Sequence, residues 1–163
     1  MNKYLKSILL WSLALILTLA AAYYQKKTGP TYPVSGKAEF KTDTVEYVLL
    51  RTDEICEDQE YTVMKFVCSW EIQGKYKYKR VSSYDDWTYE KMERVEDTLY
   101  LKLPQLKELA GKYEYHVSLS DGKNPINLTE EPIRIRYKGK VPDWILIPHI
   151  FFMFFGMWFS TRT

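Results

Sequence analysis

Apolar positions along this chain fall into two regimes. Residues 7–25 and 144–161 are uncharged and almost continuously apolar, while apolar and polar residues alternate through much of the stretch between them. Each apolar run approaches the roughly 20 residues that an α-helix needs to cross a hydrocarbon core about 30 Å thick. The pattern predicts a transmembrane helix or signal anchor over residues 1–25 and a linker at 26–33. A β domain follows at 34–140, and a second transmembrane helix at 141–160.

The alternation in the middle has period two, the mark of a half-buried strand. Tyr113, Tyr115, Val117 and Leu119 point one way, and Glu114, His116, Ser118 and Ser120 the other. Ile133, Ile135 and Tyr137 alternate with Arg134, Arg136 and Lys138, and Leu99, Leu101 and Leu103 with Tyr100 and Lys102. Tyr76 and Tyr78 alternate with Lys75, Lys77 and Lys79. Residues 45–50 and 61–67 are more apolar and suit central strands. Turn signals break the pattern at 41–43, 72–74, 83–86, 94–97, 110–111 and 121–125. A single helical turn is expected at 105–109. The layout predicts an all-β fold, an antiparallel β-sandwich of seven or eight strands with a helix at each end.

The first apolar run follows a short basic stretch, Lys3 to Lys6, and ends in Ala20-Ala21-Ala22-Tyr23-Tyr24. It reads either as a cleavable signal peptide or as a retained anchor with tyrosines at the interface, and its length favours the anchor. The second run opens with Pro142 and Asp143, which suit a helix start and the positive end of its dipole. Trp144, Phe151, Phe152, Phe154, Phe155, Trp158 and Phe159 make it apolar all round, as lipid contact requires. Pro148 removes one backbone donor from this helix. His149 is the strongly polar side chain inside the span, and an ionisable group within a membrane is a functional candidate. The alternative is that His149 lies near the interface and meets water. The chain stops one residue after Arg162, and this abrupt end leads us to expect a longer protein with further membrane helices.

Charge changes the picture in one respect. The formal net charge of +2 arises in the flanks, because residues 29–140 hold 18 Lys and Arg against 20 Asp and Glu. A domain of that balance offers no overall field for nucleic acid. Basic residues on both sides of each helix leave the orientation open by count, and the signal-like start favours an exported domain. Cys56 and Cys68 are candidates for a disulfide in such a compartment. Equally, Cys68 is read as a small core hydrophobe and Cys56 as an unpaired thiol.

Candidate chemistry is sparse. Asp85, Asp86 and Glu90 form the densest acidic cluster but lack the spacing of a calcium loop. Residues 75–80 interleave Lys and Tyr as nucleic-acid surfaces do, yet period two sends the two types to opposite faces. His116 has no nucleophile signature around it. Asn127-Leu128-Thr129 matches a glycosylation sequon. No catalytic residue, metal site or cofactor is implied.

Tyr78-x-x-Val81, Asp86-Trp87, Met92, Leu99-Tyr100-Leu101-Lys102-Leu103-Pro104 and Tyr113-x-Tyr115-x-Val117 together resemble an immunoglobulin-like or fibronectin-III-like module. In such a module Tyr113 or Tyr115 would anchor the corner before the penultimate strand. The Cys, Trp, Cys order of a true immunoglobulin domain is missing, because Trp70 follows both cysteines. Residues 24–33 and 141–149 resemble the flanks of uncharacterised bacterial inner-membrane proteins with one such domain between helices. That resemblance implies an inner-membrane protein with its domain on the periplasmic or extracellular side. Its expected partners are the lipid bilayer and other membrane or envelope proteins, and no nucleic acid. We therefore expect a non-enzymatic interaction or structural component of an envelope complex. The alternative is a fragment of a multi-helix transporter or membrane enzyme subunit. A sugar-binding module is a weaker third reading, since nothing in the sequence brings its aromatic residues together.

Overall fold

A computed structural model describes residues 3–41, 43–56, 58–81, 84–107 and 111–162. The chain divides into two compact units, Met1–Pro30 with Val141–Thr163, and Thr31–Lys140.

The first unit is a pair of helices, α1 (Lys3–Thr28) and α2 (Asp143–Arg162), each long and apolar enough to cross a membrane. α1 runs past the expected boundary at residue 25. Lys26 and Lys27 fall in its last turn, where cations meet the negative end of the helix dipole. The Thr28 hydroxyl donates to the Tyr24 carbonyl at 2.8 Å, closing that turn. The linker thus shortens to residues 29–33. α2 begins where the Pro142 carbonyl accepts the amides of Ile145 and Leu146, at 3.0 and 3.1 Å.

The helices run in opposite directions. Trp11 of α1 meets Trp158 and Phe159 edge-on, with ring centroids 5.5 and 5.6 Å apart, and Ala22 and Gln25 share a hollow with His149. Ala14 and Thr18 are the buried residues of α1. Small residues there allow close approach of the helices, which dispersion forces rather than the hydrophobic effect must hold in lipid.

The second unit holds eleven strands among the described residues. They are β1 (Val34–Glu39), β2 (Thr44–Leu49), β3 (Thr52–Glu54), β4 (Tyr61–Val67), β5 (Gln73–Arg80) and β6 (Thr88–Lys91). The rest are β7 (Glu93–Val95), β8 (Thr98–Pro104), β9 (Lys112–Ser120), β10 (Pro125–Asn127) and β11 (Ile133–Lys138). They form a β1-β2 hairpin, a three-stranded β4-β8-β7 sheet, and a six-stranded sheet of order β3-β11-β9-β5-β6 with β10 beside β9.

The count exceeds the expected seven or eight because β3, β7 and β10 are three-residue pieces, too short for alternation to show. The sheets are also not wholly antiparallel, since β3 pairs parallel with β11 through Thr52 and Arg136. Two expected turns move. The reversal near 72–74 falls instead at Trp70 and Glu71, with Gln73 and Gly74 already in β5. Arg94 and Val95 belong to β7, and the β7–β8 reversal uses Glu96 at φ 52°. Gln105 to Lys107 are not helical. The remainder of that expected turn, with Thr42, Ser83 and Ala110 of the other turn signals, lies outside the described residues.

The two larger sheets face each other across one core. The alternation puts Met64 and Phe66 of β4, Leu99, Leu101 and Leu103 of β8, and Tyr115, Val117 and Leu119 of β9 inside. Tyrosines supply both bulk and polar ties between the layers. The Tyr115 hydroxyl donates to the Leu50 carbonyl at 2.8 Å, and the Tyr76 hydroxyl of β5 shares its one proton between Glu90 and the Lys102 carbonyl of β8, 2.7 Å away. The Thr62 hydroxyl of β4 bridges an Asp53 carboxylate oxygen at 2.5 Å and the Tyr137 hydroxyl of β11 at 3.1 Å. These core hydroxyls each have a partner, which avoids the penalty of an unmet polar group.

Candidate functional site

The buried face of the β unit leaves two outer faces of contrasting chemistry. On the outer face of β4-β8-β7 the register aligns Val67 with Thr98 and Thr98 with Val95. Val63 lies on the same face, and Val63, Val67 and Val95 are 43%, 69% and 57% exposed. The loop after β4 carries Trp70, whose indole is 77% exposed.

That loop is held open by Arg94. Its guanidinium donates to the carbonyls of Cys68 at 3.3 Å, Ser69 at 3.1 Å, Glu96 at 3.3 Å and, through a short contact, Ile72. The Asp43 carboxylate accepts the Ser69 amide at 2.8 Å, and the Asp97 carbonyl accepts the Cys68 amide at 2.9 Å. A planar donor fork suits several converging carbonyls better than a point charge would. A large apolar ring is thus presented to solvent by a fixed loop rather than left on a loose one.

The outer face of the six-stranded sheet is cationic. β5 contributes Lys75, Lys77 and Lys79, and β11 contributes Arg134, Arg136 and Lys138. Lys91 lies opposite Lys75, and Lys112 opposite Arg136. Against these stand Glu114, which pairs with Arg134 at 2.8 Å and Lys79 at 3.6 Å, and Glu54, 3.5 Å from Lys138. Lys75 and Lys77 make no ion pair to a described residue. The Lys77 ammonium lies 4.8 Å from the Trp87 ring centroid and 5.9 Å from that of Tyr89, and Lys79 lies 4.9 Å from Trp87. A hollow of about 380 Å³ opens among Lys75, Lys77, Tyr89, His116, Ser118 and Asn127.

The inner side of the same hairpin behaves differently. Glu90, itself exposed, accepts the Tyr76 and Tyr78 hydroxyls at 2.5 and 3.1 Å. Burial, with the Glu90 charge behind it, pushes the Tyr78 hydroxyl up to about 12 and raises Tyr76 as well. Glu90 is therefore committed to the tyrosines, away from the acidic cluster expected with Asp85 and Asp86. Among the described residues no three His, Cys, Asp or Glu side chains are grouped to hold a metal ion.

Cys56 and Cys68 are both free thiols, the first exposed and the second buried. Cys56 follows β3, where Gln105 accepts its amide at 3.2 Å, beside the Tyr61 end of β4. Cys68 follows the other end of β4. Seven residues of strand separate the two by roughly 20 Å, well beyond the ~7 Å that a disulfide tolerates between Cα atoms. His149 sits on α2, exposed, in an apolar hollow whose polar neighbour on α1 is Gln25. His116 lines the cationic hollow, and Asn127 of the sequon stands beside it while Leu128 is buried.

The sequence signalled the Lys–Tyr alternation of β5 but not the cleft. Trp87, Tyr89, His116 and Asn127 come together only through the β5–β6, β5–β9 and β9–β10 registers. The Arg94-held Trp70 loop gave no motif at all. No protein-family model matches the chain, and no curated protein matches it.

Proposed function

We propose that this protein is a non-enzymatic, membrane-anchored interaction component of an envelope complex. In this reading α1 and α2 both cross the bacterial inner membrane, and the β unit stands on the periplasmic or extracellular side, where it engages another membrane or envelope protein. The observation that carries the reading is Trp70, 77% exposed on a loop tied down by Arg94 and beside the exposed Val67. Exposed tryptophans on rigid supports are the residues most often found at the energetic centre of protein interfaces.

We also read the β unit as an immunoglobulin-like sandwich. Supporting that reading, β4-β8-β7 follows the order of strands B, E and D, and β6-β5-β9-β11 that of C′, C, F and G. Tyr115, on the strand that would be F, bonds back to an upstream carbonyl as a corner tyrosine does, although its partner Leu50 is far upstream in sequence. The fold analogy supplies no activity.

The test is affinity purification of the full chain in mild detergent, beside a Trp70→Ala variant. A stoichiometric partner recovered with the parent and lost with the variant is the expected result. A chain recovered alone under both conditions would overturn the reading. Sidedness has its own check in the exposed Cys56 thiol. A membrane-impermeant maleimide should label Cys56 in intact spheroplasts, whereas labelling only after lysis would place the β unit in the cytoplasm.

A further inference from the structure

We infer that the hollow on the outer face of β5, β6, β9 and β10 is a binding site for an acidic saccharide. The Lys75 and Lys77 ammonium groups would meet its carboxylates, and the Tyr89 ring would meet a sugar face. This inference does not depend on the Trp70 surface, which lies on the other sheet.

Three observations support it. First, the lining includes two ammonium groups, Lys75 and Lys77, and no carboxylate. The domain as a whole has slightly more acidic than basic residues, so this concentration of cations is local. Net field of one sign over a concave surface raises the local concentration of an oppositely charged ligand. Second, the volume of about 380 Å³ falls in the range of small-ligand sites and would take one or two sugar rings. Third, Tyr89 is 72% exposed at the rim, and the cross-strand register puts it directly opposite Lys77. Burying the exposed part of that ring against a pyranose, with polar groups at its edge, matches the two surfaces of a sugar.

The same details argue against other anions. A single-stranded nucleic acid wants a series of free aromatic platforms along a groove. Here the two rings beside the lysines are a pair rather than a series, and each already has an ammonium over it, Trp87 from Lys77 and Lys79 and Tyr89 from Lys77. An anionic bilayer would be met by apolar side chains as well as cations. Tyr89 is the one large exposed ring lining this hollow.

The experiment is calorimetric titration of the full chain, held in zwitterionic nanodiscs, with a hexamer of galacturonic acid. Maltohexaose, polyglutamate and inorganic phosphate serve as comparison ligands. Co-flotation of the loaded zwitterionic nanodiscs with separate phosphatidylglycerol vesicles, against phosphatidylcholine vesicles as control, tests the lipid alternative. The expected result is binding of the galacturonate hexamer and none of maltohexaose. Lys75→Gln with Lys77→Gln should weaken it at least about tenfold, the scale of losing charge-assisted bonds. Lys77→Arg should bind within about threefold of the parent, which separates loss of charge from loss of fold, and thermal melts of both variants check the same point. Tyr89→Ala should weaken the hexamer about fivefold, a ring-stacking magnitude, and leave phosphate unchanged. Equal binding of polyglutamate, with Tyr89→Ala silent, would overturn the inference in favour of an acidic peptide. Association with phosphatidylglycerol alone, or no binding to any of the ligands, would overturn it too.

Discussion

At the scale of single residues, two side chains show how tightly the β unit is specified. Gly74 opens β5 within the core, and a Cβ placed there would collide with Met92 Sδ and lie 2.9 Å from Met92 Cγ. Met92 is buried and covers the glycine along its length, so it has to move as a whole. Gly74→Ala should therefore cost about 1–3 kcal/mol in urea unfolding, the usual penalty of overpacking. Met92→Ala alone should cost about 2–3 kcal/mol through the cavity it leaves. Combined, the two should cost less than their sum, because the new methyl occupies space that the thioether vacated. Strict additivity would mean that the two atoms do not compete for one volume. Arg94 is the second case. Its guanidinium meets four carbonyls, and truncation leaves them without their shared donor. Arg94→Ala should lose about 2–4 kcal/mol, and Arg94→Lys should recover under half of it, since an ammonium cannot fork to several acceptors. A lysine variant as stable as the parent would show that charge alone holds the Trp70 loop.

At the scale of elements, what the sequence made legible follows from where a pattern is long enough to be read. The helices stand out because about twenty uncharged residues admit few other structures. Strands β9 and β11 stand out because four and three alternating inward residues, Tyr113 to Leu119 and Ile133 to Tyr137, outweigh their polar neighbours. β3, β7 and β10 carry no such run. They exist because a neighbour offers an edge, as β11 does for Thr52 to Glu54, so they are tertiary in origin. The misplaced turn at 72–74 has the same cause. Gln73-Gly74 looks like a reversal in isolation, but the glycine is there to admit Met92, and the fully buried Ile72 fixes the loop ahead of it. The apolar run alone ends α1 too early, because Lys26 and Lys27 break it, although cations suit a helix C-terminus. The cationic hollow was half legible. Its lysines declare themselves by period two, but Tyr89, His116 and Asn127 arrive from three other strands, and register between strands is not written in any one of them.

At the scale of the whole molecule, the chain contains two units stabilised by different physics, and alkali should tell them apart. Every residue of the continuous hydrophobic core lies between Ala38 and Tyr137, with none from either helix. That core depends on neutral tyrosines. Tyr78 is pushed up to about 12 from its ordinary value of 10, chiefly by burial and then by Glu90. Burial likewise raises Tyr76, Tyr115 and Tyr137. The sign follows from proton linkage. Below pH 10 both the folded and the unfolded tyrosines are protonated, and the stability of the core is complete. Above pH 10 the unfolded chain releases protons that the folded chain retains, so stability falls with each further step and is lost as the folded hydroxyls ionise toward pH 12. The helical pair has its backbone groups satisfied internally and, in detergent or lipid, does not need the aqueous hydrophobic effect to remain helical. An alkaline titration of the full chain in micelles, followed by tyrosinate absorbance and circular dichroism together, should therefore show two behaviours. The strand signal should collapse cooperatively above pH 10, together with a late step of tyrosinate formation, while the helical signal persists. Smooth ionisation of all the tyrosines near pH 10 with the strands intact would show that the buried hydroxyls are open to water. Loss of both signals in one transition would show instead that the β unit and the helices fold as one body.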